Sequence, residues 1–338
     1  MVLELDGATS GSKVVRGNRI GGGILRIEGG AGWQIGGLGA GEGNVLIGPR
    51  AVLDVVGAAD VAIQGNYLHH DYHGGFSQGF NLWFENGSDG ALAEHNVIRG
   101  GSWPVQNFGG EFRYNLVVDS GHDFWRGAAN GTQIHHNLFV HASGINTGYD
   151  GAFKLYGSET GVSVYNNTLD AGGALGAFDG PAFHLDSGTL IESIRNNLFT
   201  RFQPVLASWG GAWVSAPGGV AATARVTSAD YNGWYNPQAP ASTRYLSGIV
   251  AAAPGAHDVQ ADPQLAGAPE VPYRISEGCL WENRCTIGEV LAHYRDLYEP
   301  LAASPLLGAG DPADGVNTPI GAIGDATLSD DLFGRVVP

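Results

Sequence analysis

Two short segments, Ala-Phe-Lys-Leu-Tyr at 152–156 and Ala-Phe-His-Leu-Asp at 182–186, align without a gap at a spacing of 30 residues. If each is a strand with its Phe and Leu turned inward, Lys154, Tyr156, His184 and Asp186 point outward. Adjacent rungs then set Lys154 beside His184 and Tyr156 beside Asp186, about 4.8 Å apart. The segment His122-Asp123-Phe124-Trp125-Arg126-Gly127 joins them when Gly127 is matched to Gly157. That match puts Arg126 next to Tyr156 and Phe124 next to Lys154. Two rungs further up, Asn81 and Trp83 face out on the same sheet. These residue types suit β-elimination from a uronate polymer. A cation must neutralise the sugar carboxylate, a base must take the acidified proton, and an acid must protonate the leaving oxygen. Arg126 is the candidate cation and Lys154 the candidate base. Tyr156 or His184 is the candidate acid, and Asp186 orients His184 or helps hold a Ca²⁺ ion. The plainer alternative is a solvated polar face whose residues pair across rungs.

Other residues could line the same groove. Trp83 and Trp125 offer flat faces to sugar rings. His122 and Asp123 precede the arginine. The cluster His69-His70-Asp71-Tyr72-His73 supplies His70 and His73 as groove-lining candidates, or ligands for a transition metal. A hydrolase would instead need paired carboxylates, with Asp150, Asp179 or Asp186 as candidates.

The elements that would position these groups follow from an internal repeat. An Asn recurs at positions 18, 44, 66, 96, 115, 137, 167 and 197, with Asn232 as a degenerate ninth. The steps are 26, 22, 30, 19, 22, 30 and 30 residues. An apolar residue sits three positions before many of them (Ile63, Phe112, Ile134, Val164, Ile194), and two mostly apolar residues follow. About 26 residues fit three short strands and three turns, a coil that buries its apolar face only by stacking on its neighbours. The expected fold is all-β: a single-stranded right-handed parallel β-helix of about 8–10 rungs over residues 1–248. Asn at a fixed turn position tolerates a left-handed backbone, and its amide can bond to the next Asn in the stack. The asparagines therefore read as a structural ladder.

The repeats resemble the right-handed parallel β-helix of the pectate-lyase-like superfamily, found in many carbohydrate-binding proteins and sugar hydrolases. Residues 33–68 are similar to repeats of secreted bacterial β-helix proteins. The ending Ala303-Ser304-Pro305 through Pro319-Ile320-Gly321 resembles the terminal segment of such proteins. The segment Asp123-Phe124-Trp125-Arg126-Gly127, followed by His135-His136-Asn137-Leu138-Phe139, resembles the arginine-bearing rung of the chondroitinase B and alginate lyase family. In that family the catalytic lysine lies on the rung before the arginine; here Lys154 lies on the rung after. The resemblance implies a secreted carbohydrate-active enzyme, a polysaccharide lyase first. A glycoside hydrolase on the same fold, or a non-catalytic glycan-binding or adhesin-type module, is the alternative. It implies no required cofactor, or Ca²⁺.

Composition narrows the partners. The chain of 338 residues carries 33 acidic against 17 basic side chains, a net charge of −16. Lys13 and Lys154 are its two lysines. No basic patch for nucleic acid can be assembled, and no apolar run is long enough to span a bilayer. The expected partner is a polysaccharide, the expected state a monomer. The pattern breaks near 248, and 249–338 read as a C-terminal extension with one helix at about 286–298. That helix opens with the capping box Thr286-Ile287-Gly288-Glu289 and packs on the β-helix. Cys279 and Cys285 are spaced for a small disulfide loop, which implies an extracellular or cell-surface location. No signal peptide is visible, as in a mature or trimmed form.

Overall fold

A computed structural model describes residues 2–7, 12–70, 79–87, 89–142, 151–172, 182–185, 188–202, 214–215, 224–235, 237, 246–247, 255–267, 277–315 and 318–322. Among these residues the strands form three sheets of ten, nine and nine strands. We call them A, B and C. The chain visits A, B and C in turn, and strands meet only parallel neighbours from the rungs before and after. Sheet A runs from Val2–Asp6 to Leu246–Ser247, sheet B from Lys13–Val15 to Val226–Asp230, and sheet C from Arg19–Gly21 to Gly233–Tyr235. The fold is a parallel β-helix.

Alternation within each short strand sends every second side chain inward, and stacking turns those positions into continuous files. In sheet A the inner file includes Leu25, Leu53, Leu82, Val105, Trp125, Phe153 and Phe183 in register. Sheet B contributes Ile35, Ile63, Ala93, Phe112, Ile134, Val164 and Ile194. Sheet C contributes Leu46, Leu68, Ile98, Val117, Phe139, Leu169 and Phe199. All of them belong to one buried core. Each fully buried side chain of this size contributes roughly 1.5–3 kcal/mol.

The asparagines form the expected ladder at the corner between sheets B and C. Asn44 Oδ1 accepts from the backbone N–H and the side-chain amide of Asn18, both at 3.0 Å. The same pair of bonds recurs up the stack to Asn232, which confirms the ninth position. Each buried amide also donates to a backbone carbonyl one rung back, as Asn137 does to Phe112 at 2.8 Å. Asp258 ends the ladder by accepting from the Asn232 N–H at 2.7 Å.

One expectation is corrected here. The left-handed residue is the one before most of the ladder asparagines, not the Asn itself: Gly65, His95, Tyr114, His136, Asn166, Asn196 and Tyr231 have φ between 51° and 62°. The chain reverses at that residue, and the Asn that follows aims its amide along the stack.

The C-terminal region carries two helices, α1 (Glu277–Trp281), which the sequence reading did not contain, and α2 (Ile287–Leu297). The capping box is formed: Thr286 Oγ1 accepts from Glu289 N at 3.2 Å, and Glu289 accepts from Thr286 N at 2.6 Å. A disulfide joins Cys279 to Cys285. Val290, Leu291, Tyr294 and Tyr298 pack on Val45, Tyr67, Val97, Leu116, Val118, Leu138 and Val140. These are the outward residues of sheet C, so α2 lies along the side of the β-helix rather than across its end. Among the described residues no helix is long and apolar enough to cross a membrane.

Candidate functional site

One outward file of side chains on sheet A, one per rung, runs in register through Glu4, Arg26, Asp54, Trp83, Gln106, Arg126, Lys154 and His184. The pairing of Lys154 with His184 is as expected from the gapless repeat. The arginine rung is shifted by two residues from expectation. Trp125 pairs with Phe153 and Arg126 pairs directly with Lys154. The cause is packing. Trp125 fills the inner file between Val105 and Phe153, and Phe124 is fully buried in the core beside it. Matching the glycines aligned Gly127, inside the strand Trp125–Ala128, with Gly157, which lies beyond the end of its strand Phe153–Leu155.

Arg126 is held differently from most arginines of this chain. Seven of the described arginines are ion-paired: Arg16, Arg26, Arg99, Arg113, Arg195, Arg201 and Arg284. Arg126 makes no ion pair among the described residues. Its guanidinium lies 4.0 Å from the Trp103 ring centroid and 5.3 Å from that of Tyr156. Its Nε is buried with no hydrogen-bond partner among the described residues. Two aromatic faces fix the plane of the cation while leaving hydrogen-bonding capacity unused.

Tyr156 is itself fixed from below. Its hydroxyl donates to Asn107 Oδ1 at 3.2 Å. Its backbone N–H donates to Glu159 Oε1 at 3.2 Å, and Gly157 N–H donates to Glu159 Oε2 at 2.9 Å. Glu159 is buried and also accepts from Thr189 Oγ1 at 2.7 Å and Ala128 N at 3.4 Å, tying three successive rungs together. The ring rests against Gly127, whose φ is +68°; a Cβ there would lie 2.4 Å from Asn107 Oδ1 and 3.3 Å from the ring. Asn107 and Glu159 were not among the sequence candidates, and Trp103 is one of several tryptophans in the sequence with a flat face for a sugar rather than a preferred one. Trp103 sits in Ser102-Trp103-Pro104, in the turn before its strand, where alternation gives no direction.

The remaining candidates divide by burial. Trp83 is half-buried in the outer file, two rungs from Arg126, as expected. Lys154 is half-buried and Tyr156 exposed. His122 and Asp123 are buried at the corner leading into the strand Trp125–Ala128. His122 Nδ1 lies 3.1 Å from Asp123 Oδ1, which orients the ring, and the ring meets Trp103 edge-on at 5.8 Å. Four further candidates also point away from solvent. Trp125 turns into the core, so it offers no face to a sugar. Asn81 is buried and caps the Arg99 and Gly100 carbonyls at 3.0 and 2.7 Å. His70 is buried where an added Cβ on Gly79 would lie 2.6 Å from its ring. His184 is buried beside Lys154, with Gly151 closing over it. His73, Asp71, Asp150, Asp179 and Asp186 lie outside the described residues.

The face also holds a residue that the sequence reading missed. Asp54 is almost wholly buried in the outer file between Arg26 and Trp83. Arg26 Nη1 donates to its Oδ2 at 3.1 Å. Burial pushes its carboxyl up to about 6 against the pull of Arg26, with Glu85 and Glu28 pushing the same way. The sequence does carry a signal: Asp54 is the lone polar residue of Ala-Val-Leu-Asp-Val-Val.

Sheet B shows what an ordinary polar face looks like here. Arg113 binds Glu94 and Glu111, and His135 stacks on Tyr165 at 4.7 Å while its Nε2 meets Glu111 at 3.0 Å. These groups satisfy one another. Among the described residues no group of three or more His, Cys, Asp or Glu side chains is arranged to hold a metal ion. Compared with known proteins, the chain matches no family model and no curated protein sequence.

Proposed function

We propose that the outer face of sheet A binds an anionic, uronate-bearing polysaccharide and cleaves it by β-elimination. The observation that carries this reading is the pair Arg126–Lys154. An arginine clamped between two aromatic rings, without an acidic partner among the described residues, lies one rung from one of the chain's two lysines. The protein is strongly acidic overall, so an arginine without an acidic partner among the described residues supports the reading of a seat for an external anion.

In this reading Arg126 receives the sugar carboxylate, which acidifies the neighbouring C–H. Lys154, the next group along the file, takes the proton. The Tyr156 hydroxyl, now donated to Asn107, protonates the leaving oxygen. Trp83 stacks on a sugar two rungs away. His184, being buried, supports Lys154 rather than touching substrate. The repeat's likeness to secreted β-helix proteins of the pectate-lyase-like superfamily supports an extracellular carbohydrate-active protein, and the disulfide agrees with that compartment.

The test is ultraviolet absorbance of the unsaturated uronate product over a panel of uronate polymers, with and without Ca²⁺. The expected result is a rise that Lys154→Ala abolishes and that Arg126→Ala slows at least about a hundredfold. Saturable binding without any product would instead leave a glycan-binding module on the same face.

A further inference from the structure

The outer file of sheet A changes character along its length. From Arg126 to His184 it holds two cations and no acid among the described residues. On the other side of Trp83 the signs reverse. Asp54 is the register partner of Trp83, and Glu85 follows Trp83 by two residues on the same strand. Glu28, on the strand Ile24–Glu28, is two residues beyond Arg26, the partner of Asp54. Glu28 and Glu85 both act electrostatically on Asp54, so the three carboxyls share one neighbourhood. Arg26 is the cation bridged into it, 3.1 Å from Asp54 and 3.6 Å from Glu28, and Arg50 stands near enough to act on Asp54 as well. Glu4 is the register partner of Arg26 and adds a further acid.

Trp83 therefore stands at a boundary: two rungs on one side lies Arg126, and directly on the other lies an acidic patch. Rungs repeat at about 4.8 Å, close to the advance of one sugar in an extended chain. A glycan with a uronate seated at Arg126 and Lys154 that runs on over Trp83 would bring its second, third and fourth neighbouring sugars against Glu85, Asp54 and Glu28 in turn. If every sugar carried a carboxylate, those neighbours would meet like charge on a half-buried face. Uncharged sugars would meet an aromatic plate and carboxylate oxygens that accept their hydroxyls.

We infer that the ligand of this face is a sparsely charged heteroglycan, with one uronate per several neutral sugars, and that Glu28 and Glu85 reject polymers charged on every residue. The inference rests on the proposed glycan reading of the same face. It concerns specificity, a difference of affinities set by a repulsive element.

Affinity electrophoresis and calorimetry at low salt test it with two probes. One is polygalacturonate, charged on every sugar; the other is deacylated gellan, with one glucuronate per repeat of neutral sugars. The proteins are the wild type, the double variant Glu28→Gln/Glu85→Gln and Arg126→Ala, each checked by circular dichroism. The expected wild-type preference for gellan is about tenfold or more, shrinking with added salt as the repulsion is screened. The double variant narrows that preference by about tenfold, and Arg126→Ala weakens gellan binding. Equal affinity of the wild type for both polymers, or an unchanged preference in the double variant, overturns the inference while leaving the glycan site standing. Binding of neither polymer, or binding indifferent to Arg126, overturns the site and the inference together.

Discussion

Arg126 and Lys154 are register partners on adjacent strands of sheet A, and the Arg126 guanidinium rests against the rings of both Trp103 and Tyr156. Two like charges side by side in an acidic protein cost free energy, and here no described carboxylate relieves Arg126. A bound anion would relieve that repulsion.

Replacing Arg126 tests the planar clamp as well as the charge. Arg126→Ala should weaken uronate-glycan binding by about 10- to 100-fold, the worth of charge-assisted hydrogen bonds to one carboxylate. Arg126→Lys keeps the charge but not the stacked fork, and should recover less than half of the lost binding free energy. Calorimetric titration reads both. Equal affinity of Arg126→Lys and wild type would mean that the aromatic sandwich is packing only.

Gly127→Ala should disturb the site without touching a charged group. Its φ of +68° already costs an alanine about 1 kcal/mol, and the new methyl collides with Asn107 and the Tyr156 ring. The expected outcome is a melting temperature a few degrees lower and a glycan affinity reduced several-fold, as Tyr156 lifts off Arg126. Tyr156→Phe keeps the ring but loses the bond to Asn107; it should retain binding and lose turnover.

The ladder should show its energetics by position. Asn137→Ala, in mid-stack, removes the acceptor for Asn115 N and Nδ2 and the donor to Phe112 O and His135 O. Leaving those buried groups unsatisfied should cost about 2–4 kcal/mol in a denaturant titration. Asn18→Ala, exposed at the end of the ladder, should cost less than about 1 kcal/mol. Equal losses at the two positions would show that the amides do not act through burial.

Stability should depend on pH through Asp54 and His95 in opposite senses. Asp54 is pushed up from 3.8 to about 6, so the folded state favours its neutral form. The stability this lends is present below pH 3.8 and lost as pH rises to about 6. Asp54→Asn should therefore melt higher than wild type at pH 7.5, and the difference should close as pH falls to 4. His95 is buried and pushed down from 6.5 to about 4, so its neutral form is favoured. Its contribution is present above pH 6.5 and lost as pH falls toward 4. His95→Phe should flatten the acid side of the melting profile. A gain from Asp54→Asn that persists at pH 4 would rule out the assignment to that carboxyl.

The sequence carried the architecture because the repeat is written in one residue type. Asn spacing located each B–C corner, and apolar alternation oriented each strand. Lys154 and His184 were placed correctly because their rungs share a length of 30 residues. Arg126 was displaced by two because its rung has a different length, and there the register is decided by which aromatic fits the core. Trp125 and Phe124 both enter the interior, a choice made by volume that no glycine match reveals. The clamp around Arg126 stayed hidden for a related reason. Trp103, Asn107 and Glu159 come from turns and strand ends, where side-chain direction depends on tertiary packing rather than on a period of two.

The stacked amides also act as a counting device. Each Asn reads only the rung before and the rung after, and tolerates between 19 and 35 residues of chain on the way. Removing residues 168–197 would bring Asn167 onto Leu198, recreating the Asn-Leu-Phe of Asn137-Leu138-Phe139. The shortened protein would keep its cross-section and lose one rung of groove, the one bearing His184. In lineages of such chains, groove length can change by whole turns through duplication or excision of a single coding segment, without redesign of the core.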